Sequence, residues 1–173
     1  KMIIKEVKTT AKKTFAPGLY DLTELQRDAN KRFGYSAKET LNIMQRLYES
    51  HKVLTYPRTD SRYITTDVAD TLKERLKACS VGPYRKLAGS LSMRPIRKNA
   101  SFVDNKKVTD HHAIIPTEQF VDLQTMTNEE RKVYDLVVRR FLAVLLPAFE
   151  YDQTVFTGGL AGESFTAKGK VVE

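Results

Sequence analysis

Apolar residues follow a strand-like pattern at both ends of the chain and a helical pattern between them. Residues 2–10 alternate loosely between apolar and polar positions, and residues 151–157 and 164–172, separated by glycines, are typical of a β-hairpin. Four intervening stretches repeat their apolar residues every three or four positions, as amphipathic helices do: residues 24–33, 36–50, 65–78 and 127–146. The pattern predicts an α+β fold whose middle is mainly helical.

The position of the strands suggests how the domains are arranged. Because strand patterns lie at both ends, the simplest arrangement is one domain inserted into another. We expect residues 1–18 and 147–173 to form a small antiparallel β portion. Residues 19–146 would then form the inserted helical domain.

Three capping boxes mark predicted helix starts, at Thr23–Gln26, Ser36–Glu39 and Thr127–Glu130. Gly34 is the expected left-handed stop of the first helix. The short connection at Gly34–Tyr35 predicts a helix-turn-helix-like element from the first two helices. Helical hairpins also occur in proteins that do not bind DNA, so the element alone does not define a function.

One short stretch combines a predicted strand with unusual chemistry. Val53–Tyr56 has the apolar, β-branched character of a buried strand, and Pro57 ends it while holding Tyr56 extended. Arg58 follows directly and keeps its charge near neutral pH. A tyrosine in this setting suits a nucleophile aimed at a phosphate. The alternative is a tyrosine that packs its ring, with Arg58 paired to Asp60.

The chemistry of phosphate attack explains why these two residue types belong together. A phenol has a pKa of about 10 and is a poor nucleophile without help. Attack also builds charge on the phosphoryl oxygens, which a guanidinium can bind with two parallel hydrogen bonds. In an extended chain Arg58 would point to the same side as Tyr56. We therefore predict that Tyr56 is the nucleophile and that Arg58 stabilises the transition state.

A phosphotyrosyl ester would be close in energy to the phosphodiester it replaces, so rejoining the strand would need no ATP. The sequence contains no Gly-x-x-x-x-Gly-Lys-Ser/Thr motif, which agrees with an ATP-independent reaction.

Charge and composition favour nucleic acid as the partner. Lys and Arg number 29 against 21 Asp and Glu, giving a net charge of +8. Residues 83–107 carry seven of these cations and a single acid, Asp104, as in a track for phosphates; a solvated surface loop is the alternative. Cys79 is the single cysteine, which favours a reducing cytoplasm. No apolar run approaches the length of a membrane span.

Two adjacent histidines, His111 and His112, follow the basic stretch. Neighbouring residues seldom both ligate one ion, and no cysteine or carboxylate cluster completes a site, so we predict no metal site. The functional interpretation is contact with a DNA phosphate or transfer of a proton. A buried histidine that holds the loop by hydrogen bonds is the other interpretation.

Three segments of the sequence resemble the type IA DNA topoisomerases. Residues 55–63 (TYPRTDSRY) resemble the active-site segment, residues 110–117 (DHHAIIPT) the histidine motif, and residues 22–30 (LTELQRDAN) the helix that opens the tyrosine-bearing domain. The segments occur in the family's order. Pro57 and the double histidine resemble the bacterial topoisomerase III branch in particular.

The resemblance implies an isomerase that cleaves one DNA strand through Tyr56, passes another strand through the gap and reseals it, as in relaxation and decatenation. It implies catalytic roles for Tyr56 and Arg58. It also implies DNA-binding roles for four residues: Asp60, Arg62, His111 and Thr117. The partner would be DNA, preferentially single-stranded, and the protein would be cytoplasmic and nucleoid-associated. A non-catalytic helix-turn-helix DNA-binding module remains the alternative.

The resemblance also implies parts that this sequence lacks. In the family, an acidic domain binds Mg²⁺ and supplies a general acid, and no matching acidic cluster occurs here. We therefore expect a fragment that carries the nucleophile, is inactive alone, and works with the remaining domains of its parent. In the family, the tyrosine domain is inserted into a β-rich arch that frames the DNA gate.

Overall fold

The computed structural model describes residues 3–14, 17–146, 149–160 and 163–172. The chain divides into two compact units. One is a three-stranded sheet, and the other is the mainly helical unit of residues 17–146. The mainly helical character that the sequence predicted is confirmed.

The sheet is antiparallel and contains strands from both ends of the chain. Its strands are β1 (Ile3–Thr14), β2 (Phe149–Leu160) and β3 (Glu163–Val172), in the order β1-β2-β3. The register pairs Thr9 with Thr154 across β1 and β2. The first strand is longer than residues 2–10, the stretch that alternation predicted, and its register shifts near its start.

The described part of the helical unit contains six α-helices: α1 (Leu22–Phe33), α2 (Ala37–Glu49), α3 (Thr66–Ala69), α4 (Leu72–Ala78), α5 (Arg85–Ser92) and α6 (Asn128–Leu145). Short 3-10 turns occur at Gly82–Tyr84, Asn105–Lys107 and Leu123–Thr125. The basic stretch therefore contains a helix and a turn and is not one continuous loop.

The start of α1 differs from the prediction. The carboxylate of Asp21 accepts a hydrogen bond from the Glu24 N–H at 2.8 Å, so Asp21 is the N-cap. The predicted cap at Thr23 is wrong, because the helix already begins at Leu22 and Thr23 lies inside its first turn. The end of the helix is as predicted, with Gly34 in the left-handed region at φ 74°.

The predicted helix of residues 65–78 is interrupted in its middle. Thr65 caps α3 by accepting from the Val68 N–H, as expected. The Thr71 hydroxyl then donates to the Val68 carbonyl at 2.7 Å and accepts from Arg75 Nε at 2.8 Å. Such a hydroxyl competes with the helical hydrogen-bond ladder, and α4 begins anew after it.

The core of the helical unit lies where α1, α2, α4 and α6 meet the irregular segments between them. Its largest fully buried side chains are Leu19, Leu25, Met44, Leu47, Leu54, Ile64, Leu72, Leu76, Phe102, Ile114, Tyr134 and Phe141. Leu54 and Ile114 come from non-helical segments, so the core holds those segments in place as firmly as it holds the helices.

A buried carboxylate joins α2 to α6. Glu130 and Thr127 form the predicted capping box at the start of α6. Only 3% of Glu130 is exposed, and its carboxylate also contacts Arg46 Nε at 3.3 Å and His51 Nε2 at 3.2 Å. Burial alone would raise the pKa of Glu130, but the hydrogen bonds from the Thr127 N–H, His51 and Arg46 outweigh it and hold that pKa below its usual 4.5.

We expect Glu130→Gln to lower the free energy of unfolding at pH 7 by about 1–3 kcal/mol, because charged hydrogen bonds are lost from a buried site. Because the pKa of Glu130 is depressed in the folded state, its stabilisation is complete above pH 4.5 and is lost as the pH falls through the folded-state pKa. Urea unfolding at pH 7 and at pH 3 measures both effects.

The difference between wild type and Glu130→Gln should therefore shrink toward acid pH. Glu129→Gln is the matched control, because Glu129 is the exposed neighbour and lies 4.0 Å from Arg46. An equal loss of stability in both variants would contradict the assignment.

Candidate active site

Two segments far apart in sequence lie side by side, and we call them the tyrosine segment (residues 53–63) and the histidine segment (residues 110–117). The Thr55 N–H donates to the Ile115 carbonyl at 3.0 Å, and the Thr117 N–H donates to the Val53 carbonyl at 3.0 Å. The two sequence motifs are thus brought together by backbone hydrogen bonds.

The predicted strand at Val53–Tyr56 is wrong in one respect, since the pairing is a single bridge between Leu54 and Pro116 and not a regular ladder. Two features explain this. The Ile115 N–H donates to the Thr55 hydroxyl instead of to a backbone carbonyl, and Pro57 has no N–H to donate further along the tyrosine segment.

Threonine side chains complete the connection. The Thr55 hydroxyl accepts from the Ile115 N–H at 2.9 Å and donates to the Ala113 carbonyl at 3.3 Å. The Thr59 hydroxyl donates to the His111 carbonyl at 3.2 Å. Hydrogen bonds on both sides of Tyr56 therefore fix the histidine segment beside it.

The ring of Tyr56 contacts two other rings. Its centroid is 4.1 Å from that of His111, with 31° between the planes, and 5.4 Å from that of Tyr48, with 80° between the planes. The first contact is a tilted stack and the second is edge-to-face, a geometry that aromatic pairs favour. Tyr56 is half-buried, so its ring is enclosed while the side chain still reaches the surface.

Arg58 and Asp60 are both exposed. Within residues 17–146, no ion pair between them occurs and no side-chain hydrogen bond of Arg58 is formed. The guanidinium of Arg58 is therefore available to an anion, as the nucleophile hypothesis needs.

Arg62 and Thr117 are engaged within the protein. Arg62 is half-buried and donates from Nε to the Leu19 carbonyl at 3.0 Å and from Nη2 to the Gly18 carbonyl at 3.3 Å. The Thr117 hydroxyl donates to the Lys52 carbonyl at 2.7 Å. These geometries give both residues a structural task, and their DNA-binding roles stay predictions.

The two histidines differ in their surroundings. His111 is exposed, whereas His112 is half-buried and its Nδ1 lies 2.7 Å from the Ala113 carbonyl. Burial lowers the pKa of His112 below its usual 6.5, and the charges of Arg75 and His111 lower it further, against the opposing effect of that hydrogen bond. In the neutral His112 ring, Nδ1 therefore carries the proton that is donated to the Ala113 carbonyl. His111 is the histidine that contacts the Tyr56 ring.

The basic stretch of residues 83–107 reaches the tyrosine segment at one end. The Ser61 hydroxyl donates to the Lys107 carbonyl at 2.8 Å, and Lys107 Nζ lies 4.6 Å from the centroid of the Tyr63 ring. The other cations of the stretch are exposed: Arg85, Lys86, Arg94, Arg97, Lys98 and Lys106.

Sequence reasoning missed one neighbour of Tyr56. Tyr48 falls on the apolar spacing of α2, which predicts a place in the core, but it is half-buried and its ring contacts Tyr56. The signal available in the sequence for this contact was the position of Tyr48 near the end of a helix, shortly before the tyrosine segment. Periodicity alone cannot separate a core aromatic from one at a site.

Among the described residues, no group of three or more His, Cys, Asp and Glu side chains could hold a metal ion. These described residues therefore do not fit a magnesium site. The described helices also include none long and apolar enough to cross a membrane.

Comparison with known proteins identifies the class to which this fold and these segments belong. Over residues 1–173 the chain matches the family model described as DNA topoisomerase, and it belongs to this family. The structure is similar to that of full-length topoisomerase I from Thermotoga maritima, with a TM-score of 0.68 and 25% identity over 99% of this chain and 28% of that one.

Two similar sequences narrow the class to a topoisomerase III-like chain. It is 64% identical over 169 residues to DNA topoisomerase 3 of Bacillus anthracis and 56% identical over 171 residues to that of Bacillus subtilis. The matches cover 98% and 99% of this chain but 23% and 24% of those relatives. The predicted resemblance is confirmed, and the chain spans about a quarter of the length of its relatives.

The contrast between Arg62 and Arg58 generates a prediction. We expect Arg62→Ala to lower the free energy of unfolding by about 2 kcal/mol, because a charged donor is removed from two backbone carbonyls. Arg58→Ala, the matched control in the same segment, should change it by less than about 0.5 kcal/mol. Urea unfolding decides, and equal stability of the two variants would contradict a structural role for Arg62.

Proposed function

We propose that this chain supplies the nucleophile of an ATP-independent type IA topoisomerase, which cleaves and reseals one DNA strand through Tyr56. The observation that carries the proposal is the enclosed ring of Tyr56, held against His111 beside an exposed Arg58. Membership of the DNA topoisomerase family supports it.

The reaction forms one phosphorus–oxygen bond for each one that it breaks, so it needs no oxidant or nucleotide. The Tyr56 oxygen forms a bond to phosphorus while one phosphorus–oxygen bond of the DNA backbone breaks. The phenol proton leaves as the nucleophile attacks, and the departing deoxyribose oxygen gains a proton. Attack by that hydroxyl on the phosphotyrosyl ester reverses the step, so the energy of the original bond is retained and the strand is resealed.

Arg58 would stabilise the charge that builds on the phosphoryl oxygens. It is exposed and lies two residues beyond Tyr56. Its planar guanidinium can donate two parallel hydrogen bonds to a phosphate, which an ammonium cannot do. His111 is stacked on the Tyr56 ring, and from there its imidazole would contact a DNA phosphate or carry a proton.

Further parts of the proposal concern DNA and the rest of the protein. DNA, preferentially single-stranded, would follow the exposed cations of residues 83–107 toward the tyrosine segment, with Asp60 as a neighbouring DNA-binding residue. The α1–α2 hairpin would act as a helix-turn-helix-like element. The helical unit would be an insertion in the β-rich arch of a cytoplasmic, nucleoid-associated enzyme, and the acidic residues for Mg²⁺ would come from another domain.

We expect Tyr56→Phe in the intact protein to abolish the covalent protein–DNA adduct while leaving the DNA dissociation constant within about twofold. The phenol oxygen is lost but the ring and its contacts remain. Trapping with denaturant, followed by identification of the modified peptide, measures the adduct. Tyr35→Phe is the matched control, since Tyr35 pairs with Phe33 away from the tyrosine segment.

An adduct that persists in Tyr56→Phe would move the nucleophile elsewhere. The same experiment separates the enzyme from a non-catalytic helix-turn-helix module, which would bind DNA but form no adduct even with Tyr56 in place.

We expect Arg58→Ala to reduce the rate of adduct formation by about 10²–10³-fold, the usual effect of removing one donor to a developing oxyanion. Arg58→Lys should restore little of it, because the two parallel hydrogen bonds are lost. Single-turnover cleavage at saturating DNA measures the rate. Arg139→Ala is the control, since Arg139 is an exposed arginine paired with Asp135 on α6, and full activity of Arg58→Ala would contradict the assigned role.

Affinity for single-stranded DNA should fall steeply as salt rises, because phosphate contacts release counterions. If Arg94 and Arg97 both contact phosphates, Arg94→Gln/Arg97→Gln should reduce the slope of log K against log salt by about 1.4. Fluorescence anisotropy at several salt concentrations measures the slope. An unchanged slope would remove these two residues from the DNA path.

A further inference from the structure

The ring of Tyr56 contacts two aromatic walls that come from different parts of the fold. One wall is the imidazole of His111, in the histidine segment, at 4.1 Å between centroids. The other is Tyr48, on the last turn of α2, at 5.4 Å and nearly perpendicular. Two such aromatic contacts leave the ring few orientations.

The backbone that carries this ring is fixed independently of it. Upstream, the Val53 N–H donates to the Leu47 carbonyl at 3.0 Å, which ties the tyrosine segment to the end of α2. Next to Tyr56, both the N–H and the hydroxyl of Thr55 are bonded to the histidine segment. The freedom that remains to Tyr56 is therefore rotation about its side-chain bonds, and this is what the two walls restrict.

The wall formed by Tyr48 is itself firmly held. Leu47, its neighbour in sequence, is fully buried. Arg46 and His51, on either side, both bind the buried carboxylate of Glu130 at the start of α6. The end of α2 is thus anchored to a second helix, and these contacts fix the backbone that carries Tyr48.

The Tyr48 hydroxyl has no hydrogen-bond partner among residues 17–146. What Tyr48 offers Tyr56 is therefore the face or edge of its ring and not a hydrogen bond. This distinction makes the role testable, because phenylalanine keeps the ring and leucine does not.

We propose that Tyr48 is a positioning residue for the nucleophile: its ring confines the Tyr56 ring against His111 before DNA arrives. Ordering a side chain costs conformational entropy, and a ring ordered in advance does not incur that cost in the transition state. The inference rests on the proposed function of Tyr56 as nucleophile and adds a residue to which neither the sequence motifs nor the comparisons gave a role.

The test uses Tyr48→Leu and Tyr48→Phe in the intact protein. Tyr48→Leu should slow adduct formation at saturating DNA about 3- to 10-fold, the effect of losing one edge-to-face aromatic contact. The DNA dissociation constant should not change, because Tyr48 orders the nucleophile and does not bind DNA. Tyr48→Phe should keep the wild-type rate.

Tyr35→Leu is the matched control. Tyr35 is also half-buried and also has an aromatic partner with centroids 5.4 Å apart, but that partner is Phe33. Thermal melting of each variant measures general destabilisation. Equal rates in Tyr48→Leu and Tyr35→Leu would overturn the proposal, as would a slow Tyr48→Phe.

A second measurement does not depend on activity. With 3,5-difluorotyrosine at position 56, a confined ring that flips slowly gives two ¹⁹F resonances, because its two fluorines have different surroundings, and a freely flipping ring gives one. We expect two in wild type and Tyr48→Phe and one in Tyr48→Leu. One resonance in all three proteins would overturn the confinement. Failure to trap any adduct in wild type would instead refute the proposed function, while the resonances would still decide whether Tyr48 confines the ring.

Discussion

The candidate site depends on the backbone pairing of the tyrosine and histidine segments. Thr55 is central to it, because its N–H and its hydroxyl both bind a segment about 60 residues away in sequence. Register matters here, since a slip of one residue along an extended segment would turn every side chain to the opposite face. Tyr56 would then lose its contact with His111. The contact between the two motifs is thus set by hydrogen bonds that neither motif makes alone.

The same residue type is used in two ways within this segment. Arg62 directs its donors into the protein, onto the carbonyls of Gly18 and Leu19, where Arg140 also donates to Gly18 at 2.9 Å. Arg58 directs its side chain to the surface. A guanidinium keeps its charge in either setting. Whether it stabilises the fold or is available to an anion depends on whether backbone carbonyls lie within its reach. The sequence motif does not show which arginine is bonded within the protein, because both arginines follow Tyr56 in the same segment.

What the sequence predicted well is local. The caps at Ser36 and Thr127 and the stop at Gly34 depend on residues within one helical turn, so the pattern contains the whole cause. The start of α1 was missed because Asp21 caps the helix two residues before Thr23, which leaves Thr23 inside the first turn. In the site, the motifs indicated which residues to consider but not their distances. Those distances come from pairings across the chain, which periodicity does not record.

The position of Tyr48 shows how the scaffold and the site are connected. Tyr48 lies on the apolar spacing of α2 and contacts Tyr56. The helix ends at Glu49, shortly before the tyrosine segment, and the Val53 N–H donates to the Leu47 carbonyl, which holds that segment close to the end of α2. The buried Glu130 then holds that end of α2 against α6 through the side chains of Arg46 and His51. A carboxylate so enclosed is expensive to bury unless every partner is present. The orientation of the Tyr56 ring therefore rests on contacts that belong to the fold, and they are in place before any DNA binds.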